Sequence, residues 1–390
     1  MKKIVAVAAI IILAGLAYLY MRPLPKVATV ASVPIVPKAK PVDLPWPAAG
    51  QSAIGALGYG VLDTHGDQKP VPIASITKII TAYAVLSQRP LGIGEQGPTI
   101  KLDNTDLGYF NYYYTHGGSD TNVKAGEKIT EYQALQSMLL PSSNNMADSL
   151  ARWAFGSVND YVAYANQMVR NLGLTNTTVG SSSGFSDKTF STAEDLVKLG
   201  ETVLKSPVIA EIVGQQTAKI PVEGAISNVN NLVGSYGING IKTGNTDKAG
   251  GCYLFSSKQV VNGQPIELIG AVLDQGDLTH ALTAAPPLIK DADAGFQRVT
   301  AIKKGQKMGY YRAPWGAMAD IVTQNDVSLL VWRGQPLEIS NLPKTASAPL
   351  SIGSTVGTVT VLSGTKAASS PLLLGQDLSE PSWRWRIFHK

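Results

Sequence analysis

Two reactive side chains stand three residues apart in the apolar stretch PIASITKIITAYAVL, residues 72–86. Pro72 suits the start of a helix, which would place Ser75 in its first turn and Lys78 on the same face. Apolar residues on every other side predict that this helix is buried. A buried lysine loses the solvation of its charged form, so its pKa falls. A fall of about 3 from the usual value near 10.4 costs about 4 kcal/mol and leaves a neutral amine that can take the proton of Ser75.

The Ser-x-x-Lys pattern is not specific by itself, because roughly one or two copies are expected by chance in a chain of this size. A second copy, Ser363-Gly-Thr-Lys366, does occur. It follows VGTVTVL and contains a glycine, which predicts a strand end and a turn. Catalysis by Ser75 therefore depends on further residues.

A second group of polar residues interrupts ITEYQALQSMLLPSSNNMADSLARWA, which predicts two helices joined at residues 141–144. A loop that presents the Ser142 hydroxyl beside the Asn144 amide can relay a proton and hold a peptide backbone. The alternative is an ordinary helix N-cap, where serine and asparagine are both favoured.

A third group interrupts strand-like sequence in GINGIKTGNTDKAGGCYLF. Lys242 offers positive charge, Thr243 a hydroxyl, and Gly244 would let a substrate backbone approach closely. The alternative is a turn with a solvated lysine.

Together, Ser75-x-x-Lys78, Ser142-x-Asn144 and Lys242-Thr243-Gly244 resemble the three motifs of the penicillin-interacting serine peptidases, the superfamily that includes serine β-lactamases. Over residues 45–296, and more weakly to 376, the chain is most similar to the low-molecular-mass D-alanyl-D-alanine carboxypeptidases. The segments that carry the likeness are PIASITKIITAY, LLPSSNNMADSLA, LGLTNTTV, FSTAEDLVKLG and NGIKTGNTDKAGGCY.

The resemblance implies a serine D,D-peptidase that trims peptidoglycan stem peptides and needs no metal or organic cofactor. Ser75 would attack the carbonyl of the penultimate D-alanine, Lys78 would take its proton, and Ser142 would pass one to the leaving amine. Lys242 would keep Lys78 neutral by repulsion, and Asn144 would bind the peptide backbone. β-Lactams resemble the D-Ala-D-Ala terminus and would acylate the same serine. The remaining implied site residues are Thr243 and Gly244, with the backbone N–H groups of Ser75 and Asn245 as the oxyanion hole.

The chain departs from the family in two places. Asn145-Met146 stands where many members have Asp-Ala. Many members also carry an arginine for the substrate's terminal carboxylate ahead of the closing helix, but none occurs between Asp277 and Gln297. Lys242 and Thr243 would then have to bind that carboxylate alone. If they do not, the sequence favours cleavage of D,D cross-links over strict carboxypeptidase action.

Two other functions are open to a chain with these motifs. A serine β-lactamase of the commonest class needs a deacylating glutamate about 36 residues beyond the Ser-x-Asn motif. That position falls near Thr178, where the nearest carboxylates are Asp187 and Glu194. A non-catalytic protein that binds wall peptides would be favoured by loss of a motif residue, and none is lost.

Three further patterns in the sequence bear on the same site. Gly180–Gly184 matches the G-x-S-x-G nucleophile elbow, but it lacks the preceding apolar strand and the following helix, so it predicts a loop lining the cleft. The tyrosine-rich segment 108–116 predicts either a cleft wall that contacts substrate or simple packing. The four histidines, at 65, 116, 280 and 389, show no metal-ligand spacing.

The composition and the start of the chain bear on its location. The 390 residues carry a net charge of +5, too slight to indicate nucleic acid, and the single Cys252 excludes an intramolecular disulfide. Two lysines precede an uncharged run over residues 4–21, followed by Arg22. This predicts an uncleaved cytoplasmic-membrane anchor with the rest of the chain on the extracytoplasmic side, rather than a signal peptide cleaved near Ala28–Ser32.

The predicted fold class is α+β, a D,D-peptidase/β-lactamase-like antiparallel sheet flanked by helices and followed by a small all-β sandwich. Alternation in DIVTQNDVSLLVWRG and STVGTVTVLSG indicates the half-buried strands of the latter. The tail, SWRWRIFHK, suits a membrane interface, and its two-fold alternation equally fits a closing strand. The predicted segments are an anchor (1–22), a Pro-rich stalk (23–46), the catalytic domain (47–296), the β domain (297–376) and the tail (377–390).

Overall fold

The structure, a computed structural model, describes residues 2–36 and 39–389. These residues fall into two compact units. One unit is Pro41–Phe296, and the other combines the chain before residue 41 with the chain after Phe296.

The N-terminal segment is one long helix, α1, Lys2–Met21. Of the helices in the described ranges, it alone is long and apolar enough to cross a membrane. Its side chains are exposed almost throughout, and it coincides with the anchor predicted at residues 4–21.

Part of the predicted stalk, residues 23–46, is a strand instead. Strand β1, Ala28–Ala31, pairs antiparallel with a strand late in the chain, with Thr29 opposite Tyr311. Val27 is only 3% exposed and belongs to the core of that unit. The composition indicated extended backbone correctly, but a partner so far along the chain leaves no local signal of pairing.

The unit Pro41–Phe296 mixes helices with antiparallel strands. Its strands are β2 (Gln51–Ala56), β3 (Gly60–His65), β4 (Val71–Pro72), β5 (Thr99–Lys101), β6 (Lys128–Thr130), β7 (Phe190–Ser191), β8 (Thr217–Ile220), β9 (Gly224–Ser227), β10 (Ile238–Thr246), β11 (Gly250–Val261) and β12 (Gln264–Gln275). Its helices are α2 (Thr77–Gln88), α3 (Asn104–Thr115), α4 (Glu131–Leu139), α5 (Asn144–Phe155), α6 (Val158–Asn171), α7 (Ala193–Val203), α8 (Pro207–Val213) and α9 (Leu278–Asp293).

The central sheet of this unit has the strand order β10-β11-β12-β2-β3. Helices α7 and α9 both pack against β11 and β12. Gly200 on α7 allows this contact, because a Cβ there would meet Ile269 at 2.7 Å. β10 is an edge strand, so one side of its backbone has no partner strand within the described residues.

Helix α2 lies at the centre of the unit, against α4, α5 and α6. Ile79 and Ile80 are both 0% exposed, so the predicted burial of this helix is confirmed. Its predicted start is wrong: Pro72 lies in β4, which pairs with β7, and a 3-10 turn, Ala74–Ile76, precedes the helix. Ala74 has φ +46°, a left-handed conformation that an α-helix cannot include.

The C-terminal unit is all-β apart from α1 and a short last helix. A sheet of order β1-β14-β15-β19-β18-β17 and the pair β13-β16 share one core, as predicted for a small sandwich. The strands are β13 (Phe296–Ile302), β14 (Lys307–Arg312), β15 (Met318–Thr323), β16 (Val327–Trp332), β17 (Glu338–Pro343), β18 (Thr355–Ser363) and β19 (Lys366–Leu374), and the helix is α10 (Trp383–Phe388).

Two sequence predictions are decided in this unit. The second Ser-x-x-Lys copy is a strand end and turn, as expected, because β18 ends at Ser363 and β19 begins at Lys366. The closing-strand interpretation of the tail is wrong, since Trp383–Phe388 is helical. Ser382 caps that helix by accepting a hydrogen bond from the Trp385 N–H, and Arg386 donates to the Tyr20 carbonyl of α1 at 3.0 Å.

Candidate active site

Ser75 lies in the 3-10 turn that precedes α2. The left-handed backbone of Ala74 is one that residues with a side chain rarely adopt. Thr77 holds the turn through a hydrogen bond from its Oγ1 to the Ala74 carbonyl, 2.8 Å. Such strain persists where surrounding contacts over-determine it, often at functional sites. The turn leaves the Ser75 side chain partly exposed between buried neighbours.

Lys78 is fully buried, with 0% of its surface exposed. Its Nζ lies 2.9 Å from Ser75 Oγ, 2.7 Å from Asn144 Oδ1 and 2.8 Å from the Ser183 carbonyl oxygen. An ammonium group would donate to all three oxygens. A neutral amine has two N–H groups, enough for the amide and the carbonyl, and a lone pair that remains for the Ser75 proton. The predicted contact between Ser75 and Lys78 is thus present, in a geometry that suits a base.

The electrostatics favour the neutral form of Lys78. Burial lowers its pKa well below the usual value, the charge of Lys242 lowers it further, and the charge of Asp148 opposes both. Burial also lowers the pKa of Lys242 to about 7. Two desolvated lysines in one site disfavour double protonation, because like charges in low dielectric repel.

The second motif lies at the junction of α4 and α5, as the sequence predicts. Ser142 has φ +67° and is 5% exposed, and its side chain makes no hydrogen bond to any residue in the described ranges. The N-cap of α5 is Ser143, whose hydroxyl accepts from the Met146 N–H. Capping therefore does not account for Ser142 or Asn144.

The departure at Asn145 has a structural explanation. Its Oδ1 accepts from the Thr121 N–H at 3.0 Å and from the Ser143 hydroxyl at 2.6 Å. Its Nδ2 donates to the Thr121 carbonyl at 3.0 Å. An aspartate could accept the first two hydrogen bonds but could not donate the third, so the amide fits these partners.

The third motif lies on the edge strand β10. Lys242 and Thr243 are each 2% exposed, whereas Asn245 is exposed. Gly244 packs closely on the Ser75 turn: a Cβ there would lie 3.1 Å from the Ser75 nitrogen and 2.9 Å from the Ile73 carbonyl oxygen. The strand that carries this motif therefore runs directly beside Ser75.

The structure adds residues that the sequence did not single out. Asp148 accepts hydrogen bonds from the hydroxyls of Tyr113 and Ser182, the former at 2.8 Å. The neighbouring Ser183 supplies the carbonyl that Lys78 contacts. Asp148 follows Asn144 by one helical turn, so helical periodicity could have placed both on the same face of α5. Ser182 and Ser183 lie in the segment Gly180–Gly184, a loop against the site, as predicted.

The tyrosine-rich segment contributes one ring to the site. It lies on α3, where Tyr113 is 7% exposed and its ring meets Phe185 edge-on at 5.3 Å. Tyr112 and Tyr114 are 50% and 69% exposed. Across residues 2–36 and 39–389, no group of three or more His, Cys, Asp or Glu side chains could hold a metal ion.

Known proteins resemble this chain over most of its length. The family model Peptidase_S11, D-alanyl-D-alanine carboxypeptidase, matches residues 57–276. The chain is 26% identical over 341 residues to the D-alanyl-D-alanine carboxypeptidase DacA of Escherichia coli, covering 85% of this chain and 83% of DacA. It is 30% identical over 266 residues to a D-alanyl-D-alanine endopeptidase of Pseudomonas aeruginosa, covering 65% and 80% of the two chains.

Solved structures extend the comparison to three dimensions. The crystal structure of a Streptomyces DD-transpeptidase has a TM-score of 0.57 at 27% identity, over 64% of this chain and 98% of that one. Penicillin binding protein 5 of Haemophilus influenzae has a TM-score of 0.63 at 19% identity, over 87% and 100%. The second likeness concerns the fold alone, and it covers more of the chain than the unit Pro41–Phe296 contains.

Proposed function

The chain belongs to the D-alanyl-D-alanine carboxypeptidase family of serine peptidases, and we propose that Ser75, Lys78, Ser142, Asn144 and Lys242 perform the reaction of that family. The substrate is the D-Ala-D-Ala end of a peptidoglycan stem peptide. The observation that carries the proposal is the buried Lys78 Nζ, 2.9 Å from Ser75 Oγ.

Acylation begins with proton transfer from Ser75 Oγ to Lys78 Nζ. The oxygen attacks the carbonyl carbon of the penultimate D-alanine, and the backbone N–H groups of Ser75 and Asn245 stabilise the oxyanion, each by about 2.7–4 kcal/mol in the transition state. The C–N bond then breaks, and the proton held by Lys78 passes through the Ser142 hydroxyl to the leaving amine of D-alanine, which returns Lys78 to its neutral form. A water molecule hydrolyses the resulting ester and regenerates Ser75.

Substrate binding follows from the exposed edge of the sheet. A peptide can add to β10 as a further strand, with main-chain hydrogen bonds to residues near Thr243 and Asn245. The terminal carboxylate meets the charge of Lys242 and the hydroxyl of Thr243. Gly244 keeps the path clear, because it carries no side chain between the strand and Ser75.

β-Lactams are expected to acylate Ser75 through the same steps. Their ring amide replaces the D-Ala-D-Ala bond, and their carboxylate takes the place of the terminal carboxylate beside Lys242. The leaving amine stays tethered, so the acyl-enzyme persists.

A second candidate is endopeptidase action on D,D cross-links. It is favoured by the lack of an arginine between Asp277 and Gln297, because less positive charge is then available for a terminal carboxylate. The likeness to the Pseudomonas aeruginosa endopeptidase agrees with this candidate. A cross-linked muropeptide dimer, offered beside the linear peptide, separates the two activities.

The apolar helix α1 suggests a membrane anchor. We propose that it crosses the cytoplasmic membrane with Lys2 and Lys3 on the inner side and both compact units on the outer side, where peptidoglycan lies. The helical tail, with its tryptophans and arginines, would rest at the same membrane surface.

The direct test is D-alanine release from diacetyl-Lys-D-Ala-D-Ala by the full-length protein in detergent. We expect release by the wild type and by Ser363→Ala, the matched control in the second Ser-x-x-Lys copy, and none by Ser75→Ala. Covalent labelling by a fluorescent penicillin should follow the same pattern. Release that survives Ser75→Ala would overturn the proposal, whereas penicillin labelling without release would favour the cross-linked substrate.

A further inference from the structure

Asp148 is close enough to the candidate base, Lys78, for its charge to act on that amine, and its own side chain is only partly exposed. Its Oδ2 accepts a hydrogen bond from the Tyr113 hydroxyl at 2.8 Å, and its Oδ1 accepts one from the Ser182 hydroxyl. Burial raises the pKa of this carboxyl group, while the two hydrogen bonds and the charge of Lys78 oppose that rise. Burial also raises the pKa of Tyr113, so this phenol stays a neutral donor.

Ser182, which donates to Asp148, belongs to the segment that contacts Lys78. The next residue, Ser183, offers its carbonyl to Lys78 Nζ at 2.8 Å. The carbonyl of Ser182 itself accepts from Thr81 Oγ1 at 2.6 Å. Thr81 belongs to α2, one turn beyond Lys78, so this segment is fixed both to the helix of the base and to α5.

Helix α5 therefore reaches Lys78 by two routes. Asn144, at its start, contacts Nζ directly at 2.7 Å. Asp148, one turn later, fixes the segment that supplies the second acceptor. With both acceptors fixed, the two N–H groups of a neutral amine are directed, and the lone pair can point only toward Ser75.

We propose that Asp148 is the positioning residue of Lys78: through Ser182 and Ser183 it orients the amine, and its negative charge stabilises the ammonium that forms when Lys78 takes the Ser75 proton. The inference rests on the proposed function of Ser75 and Lys78. The proton itself goes to Nζ, and Asp148 stays ionised because both of its oxygens already accept hydrogen bonds. A base oriented by a third group is the general arrangement of activated nucleophiles.

The charged groups around Lys78 and Asp148 determine the pKa that a pH profile of acylation will report. Lys78 faces Lys242 and Asp148. Asp148 faces Lys78 and the phenols of Tyr109, Tyr113 and Tyr161. Helix α5 also carries a cation, Arg152. It is bound by Asp103 and Asp106, with its Nη2 2.6 Å from the Asp106 carboxylate. Asp148 is therefore the carboxylate whose charge acts on Lys78.

The test is Asp148→Asn in the full-length protein, read as the pH dependence of Ser75 acylation by a chromogenic cephalosporin. Removal of the negative charge makes the ammonium form of Lys78 less favourable, so the acid limb should move about one pH unit lower. The rate constant on the plateau should fall about tenfold or more, a share of what general-base catalysis contributes. A merely structural role would lower the rate without moving the limb.

Asp195→Asn is the matched control. Asp195 is also buried, and it accepts from the Thr177 hydroxyl at 3.0 Å and the Asn176 N–H at 2.8 Å, without contacting the site. It should lower the melting temperature and leave the acid limb in place. Ser182→Ala keeps the charge but removes the tether, so it should slow acylation with little movement of the limb.

Rates are to be normalised to the fraction of folded protein, measured by near-ultraviolet circular dichroism. An acid limb in Asp148→Asn that coincides with the wild-type limb would overturn the proposal. Absence of acylation in the wild type would instead refute the function assigned to Ser75, and the two failures are thereby told apart.

Discussion

The Oδ1 atom of Asn144 lies 2.7 Å from the Nζ atom of Lys78, although 66 residues separate them. The family resemblance implied that Asn144 binds the peptide backbone, and the contact with Lys78 leaves only its Nδ2 for that task. A Cβ at Gly118 would lie 2.8 Å from Nδ2, so the glycine keeps that side of the amide open. Asn144 can therefore hold the base with one end and the substrate with the other.

Asn144→Asp should convert this contact into an ion pair and raise the pKa of Lys78, because a carboxylate stabilises the ammonium form. The neutral amine would then form only at higher pH. The acid limb of kcat/KM should move up, and the rate below that limb should fall about tenfold for each pH unit of movement. Asn144→Ala, which removes the acceptor without adding charge, should not move the limb upward. An equal loss at every pH in Asn144→Asp would contradict the role given to Lys78.

The two lysines should give kcat/KM a bell-shaped pH profile. Activity rises as Lys78, whose pKa lies well below the usual value, loses its proton, and it falls as Lys242, with a pKa of about 7, loses the charge that attracts the substrate carboxylate. Lys242→Arg keeps a permanent positive charge, so the alkaline limb should disappear or move far upward. An alkaline limb near pH 7 in Lys242→Arg would assign that limb to another group. The profile is to be measured as D-alanine release between pH 5 and pH 10.

Gly184→Ala should disturb the site from outside the three motifs. Gly184 has φ +78°, and a Cβ there would lie 1.9 Å from the Ala74 carbonyl oxygen, in the turn that carries Ser75. The substitution therefore adds a clash to the backbone strain, and we expect a loss of about 2 kcal/mol or more in unfolding free energy together with slower acylation. Gly173→Ala is the matched control, with φ +74° and nothing within 4 Å of the added Cβ. It should cost about 1 kcal/mol and leave acylation unchanged, as measured by urea unfolding and penicillin labelling.

The reactive residues could be predicted from the sequence, but most of the residues that contact and orient them could not. Ser75, Lys78 and Lys242 were identifiable because reactive polar residues interrupt apolar segments, which is a local pattern. Helical periodicity places Asp148 on the same face of α5 as Asn144, but its contact with Ser182 arises only from tertiary folding. The same holds for the Ser183 carbonyl, which is 105 residues away from the lysine it contacts. The start of α2 was misplaced for the same reason, since strand pairing with Phe190 holds Pro72 in β4.

In the fold, too, the elements with a local sequence pattern could be predicted, and those that depend on a distant partner could not. The burial of α2 was visible in the apolar residues on nearly every side of the helix, and the strands after Phe296 were visible as two-fold alternation. The strand Ala28–Ala31 was not, because four residues of edge strand carry little pattern without their partner near Tyr311. In the tail, alternation in WRWR left a closing strand as one of two interpretations, but a serine N-cap and the contact with Tyr20 favour the helix.

Glu131 provides a prediction about stability that does not depend on the reaction. Its side chain is 0% exposed at the start of α4, and neither carboxylate oxygen has a hydrogen-bond partner in the described part of the chain. Burial raises its pKa from 4.5 to about 7, and the charge of Arg89 opposes the rise. The folded state thus holds this proton more tightly than the unfolded state does.

The sign of the pH effect follows from that difference. The stabilising proton is fully present below about pH 4.5 and is lost as pH rises through about 7, at a cost on the order of 2–3 kcal/mol. Glu131→Gln removes the titration, so at pH 8 it should be more stable than the wild type by up to that amount, and at pH 5 nearly equal to it. Urea unfolding at both pH values measures the difference. Equal stabilities at pH 8 would mean that the carboxylate finds a partner or water in solution.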